Sequence, residues 1–438
     1  MLYRTFKSPT SVQIELTTRC NNKCGHCYNF LCNTGAPDVT MTQEQLRQTF
    51  EELASAEVFG VTLTGGEPLL YPSLVIDGIR LCTEKGMDCS INSNLTILSE
   101  EDLLSMKEAG SFSVMTSLAS FNEQMHDELM GRKGAFRLWL QSISLLKKHS
   151  VRFVVNMVVT QRNVEHVYHT GLLAYSLGAR SFSATKAAPP LGCEDFSKLQ
   201  PSKSQVLQSL DDLLRLKECT GIHVDALECY PRCFLGDLEK YDSFSNRKCT
   251  AGILSASISS EGDVRPCSHS DRSYGNIFET NLEQVYAKMT EWRTGELLPE
   301  TCRNCPYLLQ CSGGCRCEAE YTSAIDAMDP YAGCPEDVVK DKPKREPKYT
   351  LSPDSLVKIS DDMECRQEVF GCILRSHTRR LVVDSEAAEV FVSMAGKIIS
   401  IAEIAERSQC EVADVLTVTS AMAECGLAKP VDAKEVKA

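Results

Sequence analysis

The chain has 438 residues, 43% of them hydrophobic, and a formal net charge of −13. This length and apolar content suffice for two or three domains with large cores. The acidic balance argues against nucleic acid or an anionic membrane as the main partner. The sequence shows no signal stretch and no run of roughly 18 apolar residues, which predicts a cytoplasmic protein. In that compartment, 22 cysteines indicate metal binding rather than disulfides.

The first half of the sequence alternates short β-rich runs with amphipathic helical stretches. The predicted strands are 11–17, 60–64, 88–93, 112–118, 151–160 and 181–185. The predicted helices are 42–57, 72–85, 100–109, 136–149, 164–177 and 202–219. Thr42 and Gln45 form a plausible capping box for the first helix, and Ser99 is a cap for the third. Six such units predict parallel strands with covering helices, short of the eight units of a complete barrel.

Three cysteines follow the first predicted strand in the spacing C-x3-C-x2-C, namely Cys20, Cys24 and Cys27. Full cysteine ligation of a cubane iron–sulfur cluster needs four thiolates, so three leave one iron open to a substrate or cofactor. A zinc site would need a fourth ligand. His26 could supply it, but this residue lies between two of the cysteines in a very short loop. The spacing therefore favours a cluster.

A Gly-Gly-Glu-Pro motif follows the second predicted strand. Gly65 and Gly66 would let the backbone approach a ligand closely. Pro68 would fix the exit of the loop, and we expect Glu67 to present a carboxylate at the mouth of the barrel. Alone, these four residues would more often be an ordinary turn.

Placed one β–α unit apart, the cysteine loop and the Gly65–Pro68 motif resemble the radical S-adenosylmethionine (radical SAM) superfamily. The resemblance covers about the first half of the chain and implies an α/β fold, a partial (β/α)6 TIM-like barrel. It implies that Cys20, Cys24 and Cys27 hold a [4Fe–4S] cluster whose open iron chelates S-adenosylmethionine. Reductive cleavage then yields a 5′-deoxyadenosyl radical.

Further contacts with S-adenosylmethionine are implied by the same resemblance. Glu67 matches the acidic position of the motif that binds the amino group. Asn94 and Ser117, at the ends of the third and fourth strands, resemble ribose and carboxylate contacts, and Asn156 on the fifth strand is a candidate of the same kind. Small polar residues that simply cap strand ends are the alternative. We assign no catalytic residue.

A second group of cysteines lies between residues 249 and 334. Its spacing is Cys249-x12-Gly262-x4-Cys267, then Cys302-x2-Cys305-x5-Cys311-x3-Cys315, then Cys334. A zinc ribbon would not explain the x5 and x3 spacings. The pattern resembles the SPASM domain, the auxiliary-cluster extension of peptide-modifying radical SAM enzymes, and implies two further [4Fe–4S] clusters.

The resemblance also implies how these cysteines are shared. The first auxiliary cluster would take Cys249, Cys267 and Cys315 with one upstream ligand, and the second would take the remaining four. Cys233 is preferred to Cys229 as the upstream ligand because it lies closer to Cys249, although an open first cluster is also possible. Cys317 is a spare thiol beside Cys315.

The C-terminal part returns to regular periodicity. Predicted strands at 355–361, 369–376 and 381–384 precede helices at 385–394, 401–407 and 412–424, with Gly426 as a C-terminal cap. The pattern resembles a winged helix-turn-helix, the RiPP recognition element that binds leader peptides; a RiPP is a ribosomally made, post-translationally modified peptide. Residues 351–438 contain 10 Lys and Arg against 15 Asp and Glu. This balance favours a peptide over DNA, bound by strand addition at 381–384.

The sequence therefore predicts a radical SAM barrel over 1–225, a SPASM domain over 226–340, a linker over 341–350 and a winged-helix domain over 351–430. The function expected from the resemblance is a peptide maturase with three [4Fe–4S] clusters, which forms a thioether or carbon–carbon crosslink in a precursor peptide. Its expected partners are that peptide and a reductant such as flavodoxin or ferredoxin, with no nucleic acid and no membrane.

An anaerobic sulfatase maturase, which forms formylglycine, is the first alternative function. Such relatives usually have an acidic residue where Ser268 stands. The second alternative is a non-catalytic iron–sulfur regulator.

Overall fold

The computed structural model describes residues 2–29, 38–190, 195–343, 346–377 and 379–431. The chain divides into two compact units, Met1–Lys342 and Pro343–Ala438. The division falls inside the predicted linker 341–350, of which residues 344 and 345 lie outside the described residues. The predicted barrel and SPASM segments share the first unit. Among the described residues, no helix has the length and apolar character needed to cross a bilayer.

The first unit begins with six β–α repeats, as the sequence predicted. Its strands are β1 Ser11–Glu15, β2 Gly60–Thr64, β3 Asp88–Ser93, β4 Ser113–Ser117, β5 Phe153–Val159, β6 Ser181–Lys186 and β7 His223–Asp225. Its helices are α1 Gln43–Ser55, α2 Pro72–Glu84, α3 Glu100–Ala109, α4 Glu123–Met130, α5 Ala135–Lys148, α6 Val167–Ser176 and α7 Lys203–Thr220. Single 3-10 turns occur at Pro68–Leu70 and Val164–His166. The capping box of Thr42 and Gln45 and the cap at Ser99 are confirmed.

The seven strands pair in parallel with their sequence neighbours. Alternation along each strand separates two faces. In β5, Phe153, Val155, Met157 and Val159 are at most 3% exposed and pack in the main hydrophobic core, while Asn156 lies half-buried on the other face. The helices cover the apolar face, so the polar residues of the strands line the inside of the partial barrel.

The cysteine-rich segment extends the same sheet. Strand β8, Ser255–Ile258, pairs in parallel with β1, and β9, Val264–Arg265, returns antiparallel to β8. The described sheet thus runs in the order β7-β6-β5-β4-β3-β2-β1-β8-β9. Short helices make up much of the rest, at α8 Arg232–Leu235, α9 Leu282–Ala287, α10 Glu291–Thr294, α11 Glu300–Arg303, α12 Leu308–Cys311 and α13 Arg316–Thr322, with a 3-10 turn at Pro335–Asp337.

The second unit is α+β and has its own core, which includes Val357, Leu374 and Phe391. Its strands are β10 Leu356–Ile359, β11 Glu364–Glu368, β12 Gly371–Ser376, β13 Arg379–Val383, β14 Ile398–Ser400 and β15 Ala428–Val431. Its helices are α14 Ser385–Ser393, α15 Ile401–Ser408 and α16 Val412–Cys425. Gly426 ends α16 with φ of 81°, as predicted. The strands form two described sheets, β14-β10-β15 and β11-β12-β13. The sequence predicted the three helices and three of these strands, and missed β11, β14 and β15.

Candidate active site and cluster sites

The cysteine loop leaves β1 at its carboxyl end, where sites of parallel barrels lie. The Lys23 amide donates to the Met130 carbonyl at 3.2 Å, and Arg132 Nη1 donates to the Asn21 carbonyl at 3.1 Å. Within the loop, the Cys27 amide donates to the Cys24 carbonyl at 3.2 Å. The loop is therefore held in a compact shape by the segment that ends α4.

Gly65 and Gly66 bring the second loop against the cysteine loop. The Gly66 amide donates to the Thr17 carbonyl at 2.7 Å, and the Glu67 amide donates to the Arg19 carbonyl at 2.8 Å. Gly65 has φ of +131°, and a Cβ at either glycine would collide with the Thr17 or Arg19 carbonyl. Both positions thus require glycine because two backbone segments of the protein meet there.

The structure encloses the Glu67 carboxylate, contrary to its expected place at the barrel mouth. Glu67 is 1% exposed. Its Oε1 accepts from Ser93 Oγ at 2.7 Å and from the Leu69 amide at 3.0 Å, and its Oε2 accepts from the Asn94 amide at 2.8 Å. Burial raises the pKa of Glu67 to about 7, although these three donors pull it down. The side chain turns inward because the exit of β3 supplies its partners.

Asn94 connects this network to the first cysteine. Its Nδ2 donates to Asn21 Oδ1 at 2.8 Å and lies 3.9 Å from Cys20 Sγ. Asn21 Nδ2 in turn donates to Thr96 Oγ1 at 2.9 Å. The cysteine loop, the Gly65–Pro68 motif and the exit of β3 therefore form one hydrogen-bonded structure.

Ser117 and Asn156 lie side by side on β4 and β5, where they are paired in register. Asn156 Oδ1 accepts from Thr185 Oγ1 at 2.7 Å. Thr62 and Ser90 form a similar hydroxyl pair at 2.8 Å on β2 and β3. The inner face of the barrel is thus polar across neighbouring strands, which suits a hydrophilic ligand.

The loop thiols fit an iron–sulfur cluster. Cys24 and Cys27 are half-buried, and Cys20 is exposed. Burial raises the pKa of Cys24 well above its usual value, and the neighbouring Cys27 and Cys20 thiols raise it further. A positively charged iron would stabilise three neighbouring thiolates, because a thiol that coordinates a metal is deprotonated.

Five thiols form a first auxiliary group, which includes the thiol of Cys229. Cys229 lies within hydrogen-bond reach of both Cys249 and Cys315. Cys267 Sγ lies 3.6 Å from Cys317 Sγ, and Cys317 also reaches Cys315. Cys317, singled out as a spare thiol, thus lies inside this group.

A second group of four thiols lines a small cavity, formed by Cys233, Cys302, Cys305 and Cys311. This placement differs from the expected ligand sets, which put Cys233 in the first group and Cys334 in the second. Pro231 directly precedes the short helix α8, so Cys229 lies before this helix and Cys233 lies within it. Cys334 is exposed and does not line the cavity.

Neither group resembles a site for a single ion. In the described residues, no three His, Cys, Asp or Glu side chains converge tightly enough to hold one metal ion. The four sulfurs of a zinc site would lie about 4 Å apart around the metal. A cubane spreads its thiolates over a larger body, which suits the second group, whose four thiols line a cavity.

A buried charged cluster at the end of β6 was missed from the sequence. Lys186 forms an ion pair with Glu318, and its Nζ lies 3.9 Å from Glu228 Oε2. Asp329 lies in the same cluster and accepts from the Cys315 amide at 2.8 Å. The cluster joins the barrel to the cysteine-rich segment. A lysine that follows a strand gives no local sign of partners more than a hundred residues away.

A stacked pair joins two cysteine loops. The rings of Tyr28 and His269 lie parallel, with centroids 4.5 Å apart and an interplanar angle of 3°. Tyr28 directly follows Cys27, and His269 lies two residues after Cys267. The first cysteine loop and the auxiliary segment therefore pack against each other through these rings.

The geometry places three groups of thiols on and beside a partial barrel, and comparison with known proteins identifies the domains. Residues 14–173 match the Radical SAM superfamily, and residues 249–306 match the SPASM iron–sulfur cluster-binding domain. The chain therefore contains a radical SAM domain and a SPASM domain. Its cofactors are accordingly [4Fe–4S] clusters and S-adenosylmethionine, as the sequence analysis predicted.

Similar proteins include both peptide-modifying and other enzymes. The AdoMet-dependent heme synthase of Oleidesulfovibrio alaskensis is 27% identical over 320 residues, which cover 69% of this chain and 81% of that protein. The antilisterial bacteriocin subtilosin biosynthesis protein AlbA of Bacillus subtilis is 27% identical over 298 residues, covering 64% and 60%.

A crystal structure of Streptococcus suis SuiB bound to S-adenosylmethionine has the same fold. Its TM-score is 0.62 at 17% identity, with 75% of this chain and 78% of SuiB covered. SuiB has also been solved bound to the precursor peptide SuiA, with a TM-score of 0.60, 18% identity, and 74% of this chain and 75% of SuiB covered.

Proposed function

We propose that this enzyme modifies a ribosomally made precursor peptide by forming a thioether or carbon–carbon crosslink. The observation that carries the proposal is a polar barrel interior, opening beside the Cys20–Cys27 loop, in a chain that also has a separate acidic unit with a sheet edge. The similarity to AlbA supports the same substrate class, as does the peptide bound by SuiB.

The residues of the first site have distinct roles in this proposal. Cys20, Cys24 and Cys27 would hold the cluster that, with S-adenosylmethionine, supplies the radical for hydrogen abstraction. Glu67 and Asn94 hold the surrounding loops in place. Ser117 and Asn156 face the interior, where they can donate to or accept from a bound ligand. The protein thus contributes position and a polar, partly enclosed environment.

The second unit would bind the leader segment. Strand β13 is an outer strand of the described sheet β11-β12-β13, and Leu381, Val382 and Val383 on it are half-buried. An extended peptide can add to such an edge through backbone hydrogen bonds. The acidic balance of this unit disfavours DNA phosphates. We therefore propose it as a recognition domain of the winged-helix, leader-binding type.

Two other substrate classes compete. A formylglycine-forming maturase would be expected to carry an acidic base after Cys267, where this chain has the buried Ser268. Heme formation is the second candidate function, because a heme synthase is among the similar proteins. The separate acidic unit with its sheet edge favours the peptide.

The test uses the full-length protein, reconstituted under anaerobic conditions with S-adenosylmethionine and a reductant such as flavodoxin. The substrate to test is a short peptide gene product identified beside the gene by genome sequencing. We expect mass spectrometry to show loss of two hydrogen atoms per crosslink, together with 5′-deoxyadenosine. Replacing Cys20, Cys24 and Cys27 by Ala should abolish both products, and the matched change of exposed Cys219→Ala should abolish neither.

An unchanged peptide mass would contradict the proposal if the same preparation converted a porphyrin precursor to heme. A shift that matches formylglycine would contradict it in favour of the sulfatase-maturing alternative. Cofactor cleavage at the normal rate in the triple cysteine variant would overturn the assignment of the first site.

A further inference from the structure

The second auxiliary cluster has five candidate ligands for the four positions on a cubane, namely the four thiols of the second group and Cys334. Cys302, Cys305 and Cys311 come from one short stretch of chain, and each lines the same cavity. The fourth position is open to two candidates. Cys334 has the spacing expected of a SPASM domain, whereas Cys233 comes from far upstream.

Cys233 has the position of a ligand. It lines the cavity together with Cys302, Cys305 and Cys311. The Gly333 amide points at Cys233 Sγ from 3.3 Å, and the Arg232 amide points at Cys311 Sγ from 3.4 Å. Amide donors of this kind stabilise thiolates at a cluster.

Cys334 lies outside the cavity in the described structure. Its neighbours Gly333 and Pro335 line the cavity, but Cys334 does not, and it is exposed. Its backbone amide donates to Asp337 Oδ2 at 2.7 Å in the turn that begins Pro335–Asp337. The turn thus places the backbone beside the cavity and the thiol outside it.

We propose that Cys233 completes the ligand set of the second auxiliary cluster with Cys302, Cys305 and Cys311, and that Cys334 is not a ligand. Each of the four thiols gives up a proton when it binds iron, and no oxidant or reductant is consumed. The upstream ligand of the first auxiliary cluster is then Cys229, beside Cys249 and Cys315. The proposal rests on the auxiliary-cluster sites and is independent of the peptide substrate.

Iron content distinguishes the two candidates. Replacing Cys20, Cys24 and Cys27 by Ala removes the first site and should leave about eight irons per chain. In that background, Cys233→Ala should lower iron to about four per chain, and the matched variant Cys334→Ala should retain about eight. Loss of iron in Cys334→Ala with full retention in Cys233→Ala would overturn the assignment.

A second measurement needs no variant and is therefore unaffected by misfolding. The wild-type holoprotein is treated anaerobically with iodoacetamide, and the labelled cysteines are mapped by peptide mass spectrometry. Cys334 should react as readily as the exposed Cys219, while Cys233 should stay protected until a chelator removes the iron. Protection of Cys334, or labelling of Cys233 before chelation, would overturn the proposal. Because no peptide is present, failure of the proposed function does not change either readout.

Discussion

Glu67 holds two loops together from a position that water does not reach. Its carboxylate accepts hydrogen bonds from Ser93, Asn94 and Leu69 and is 1% exposed. Hydrogen bonds to a carboxylate favour its charged form, whereas burial favours the neutral acid. Burial has the larger effect, since the pKa of Glu67 is raised to about 7.

The first prediction concerns stability against pH. The folded-state pKa of Glu67 lies above the ordinary value of 4.5, so folding favours the protonated carboxyl. Its stabilisation is complete below pH 4.5 and is lost as the pH rises to about 7. Glu67→Gln is neutral throughout, so wild type should lose on the order of 3 kcal/mol relative to this variant over that range. Urea unfolding under anaerobic conditions at pH 5 and pH 8 measures the difference. Parallel profiles for the two proteins would contradict the prediction.

Single residues show what spacing can and cannot predict. The three loop cysteines were identified because a cluster motif is local in sequence. The sequence did not predict the inward direction of the Glu67 side chain, because that direction depends on hydrogen-bond donors from β3. The same holds for Cys229 and Cys233, which are four residues apart but lie in different thiol groups, with Cys229 before Pro231 and Cys233 within helix α8.

At the scale of elements, the hairpin β12–β13 fixes which groups face outward. Ser376 and Arg379 flank a two-residue connection and are paired in register. In such hairpins the flanking residues form a hydrogen-bonded pair, and pairs then alternate along the ladder. Val382, opposite Ile373, therefore belongs to a pair whose amide and carbonyl groups point away from β12.

The second prediction is that Val382→Pro weakens leader binding while the hairpin survives. Proline removes a donor that would bind the added strand, not one that binds β12. Loss of that bond should lower peptide affinity about tenfold, and crosslinking at low peptide concentration should fall with it. Fluorescence titration with a labelled leader peptide measures the affinity.

Val382→Ala is the matched control, because it shortens the same side chain and keeps the amide. It should bind the leader within about twofold of wild type, since the backbone amide that would donate to the added strand is kept. Cleavage of S-adenosylmethionine without peptide should be unchanged in both variants. Equal affinity of the proline variant and wild type would show that the leader binds elsewhere.

Other elements show why some were missed from the sequence. Strand β11 buries Arg366 and Glu368, which form an ion pair with Arg366 Nη2 2.7 Å from Glu368 Oε1. A strand with charged residues on its buried face lacks the apolar alternation that predicts a strand. Strands β7 and β14 have three residues each, too few to show a period. The long helices with caps were predicted to within about two residues, as is typical of strong local signals.

At the scale of the whole molecule, contacts distant in sequence join the barrel and the auxiliary segment. Strand β8 extends the sheet beside β1. A buried ion pair between Arg265 Nη2 and Glu15 Oε2, at 2.5 Å, links β9 to the end of β1. Lys186 and Glu318 are 132 residues apart. Sequence periodicity reports local structure, so these contacts could not be predicted from one sequence.

Lys186 supplies the positive charge of the buried cluster that joins the barrel to the cysteine-rich segment. It is 2% exposed and faces Glu318, Glu228 and Asp329, with the ring of Tyr331 centred 4.9 Å away. Burial alone would lower the pKa of Lys186, but the three carboxylates hold it well above its ordinary value. Removing the lysine would leave buried acids without a cation, which costs more than the loss of an exposed pair.

The third prediction compares the loss of this buried ion pair with the loss of an exposed one. Lys186→Met should lower the free energy of unfolding by about 3 kcal/mol, the lower end of the range for a broken buried pair, because the carboxyls can take up a proton. Adding Glu318→Gln should recover part of the lost stability, since one acid is then neutral.

The control is Lys85→Met, which breaks the exposed pair of Lys85 Nζ and Glu51 Oε1 at 2.7 Å and should cost less than about 1 kcal/mol. Urea unfolding of the reconstituted protein compares the variants. If Lys186→Met and Lys85→Met cost the same, the buried cluster does not stabilise the joint between barrel and auxiliary segment.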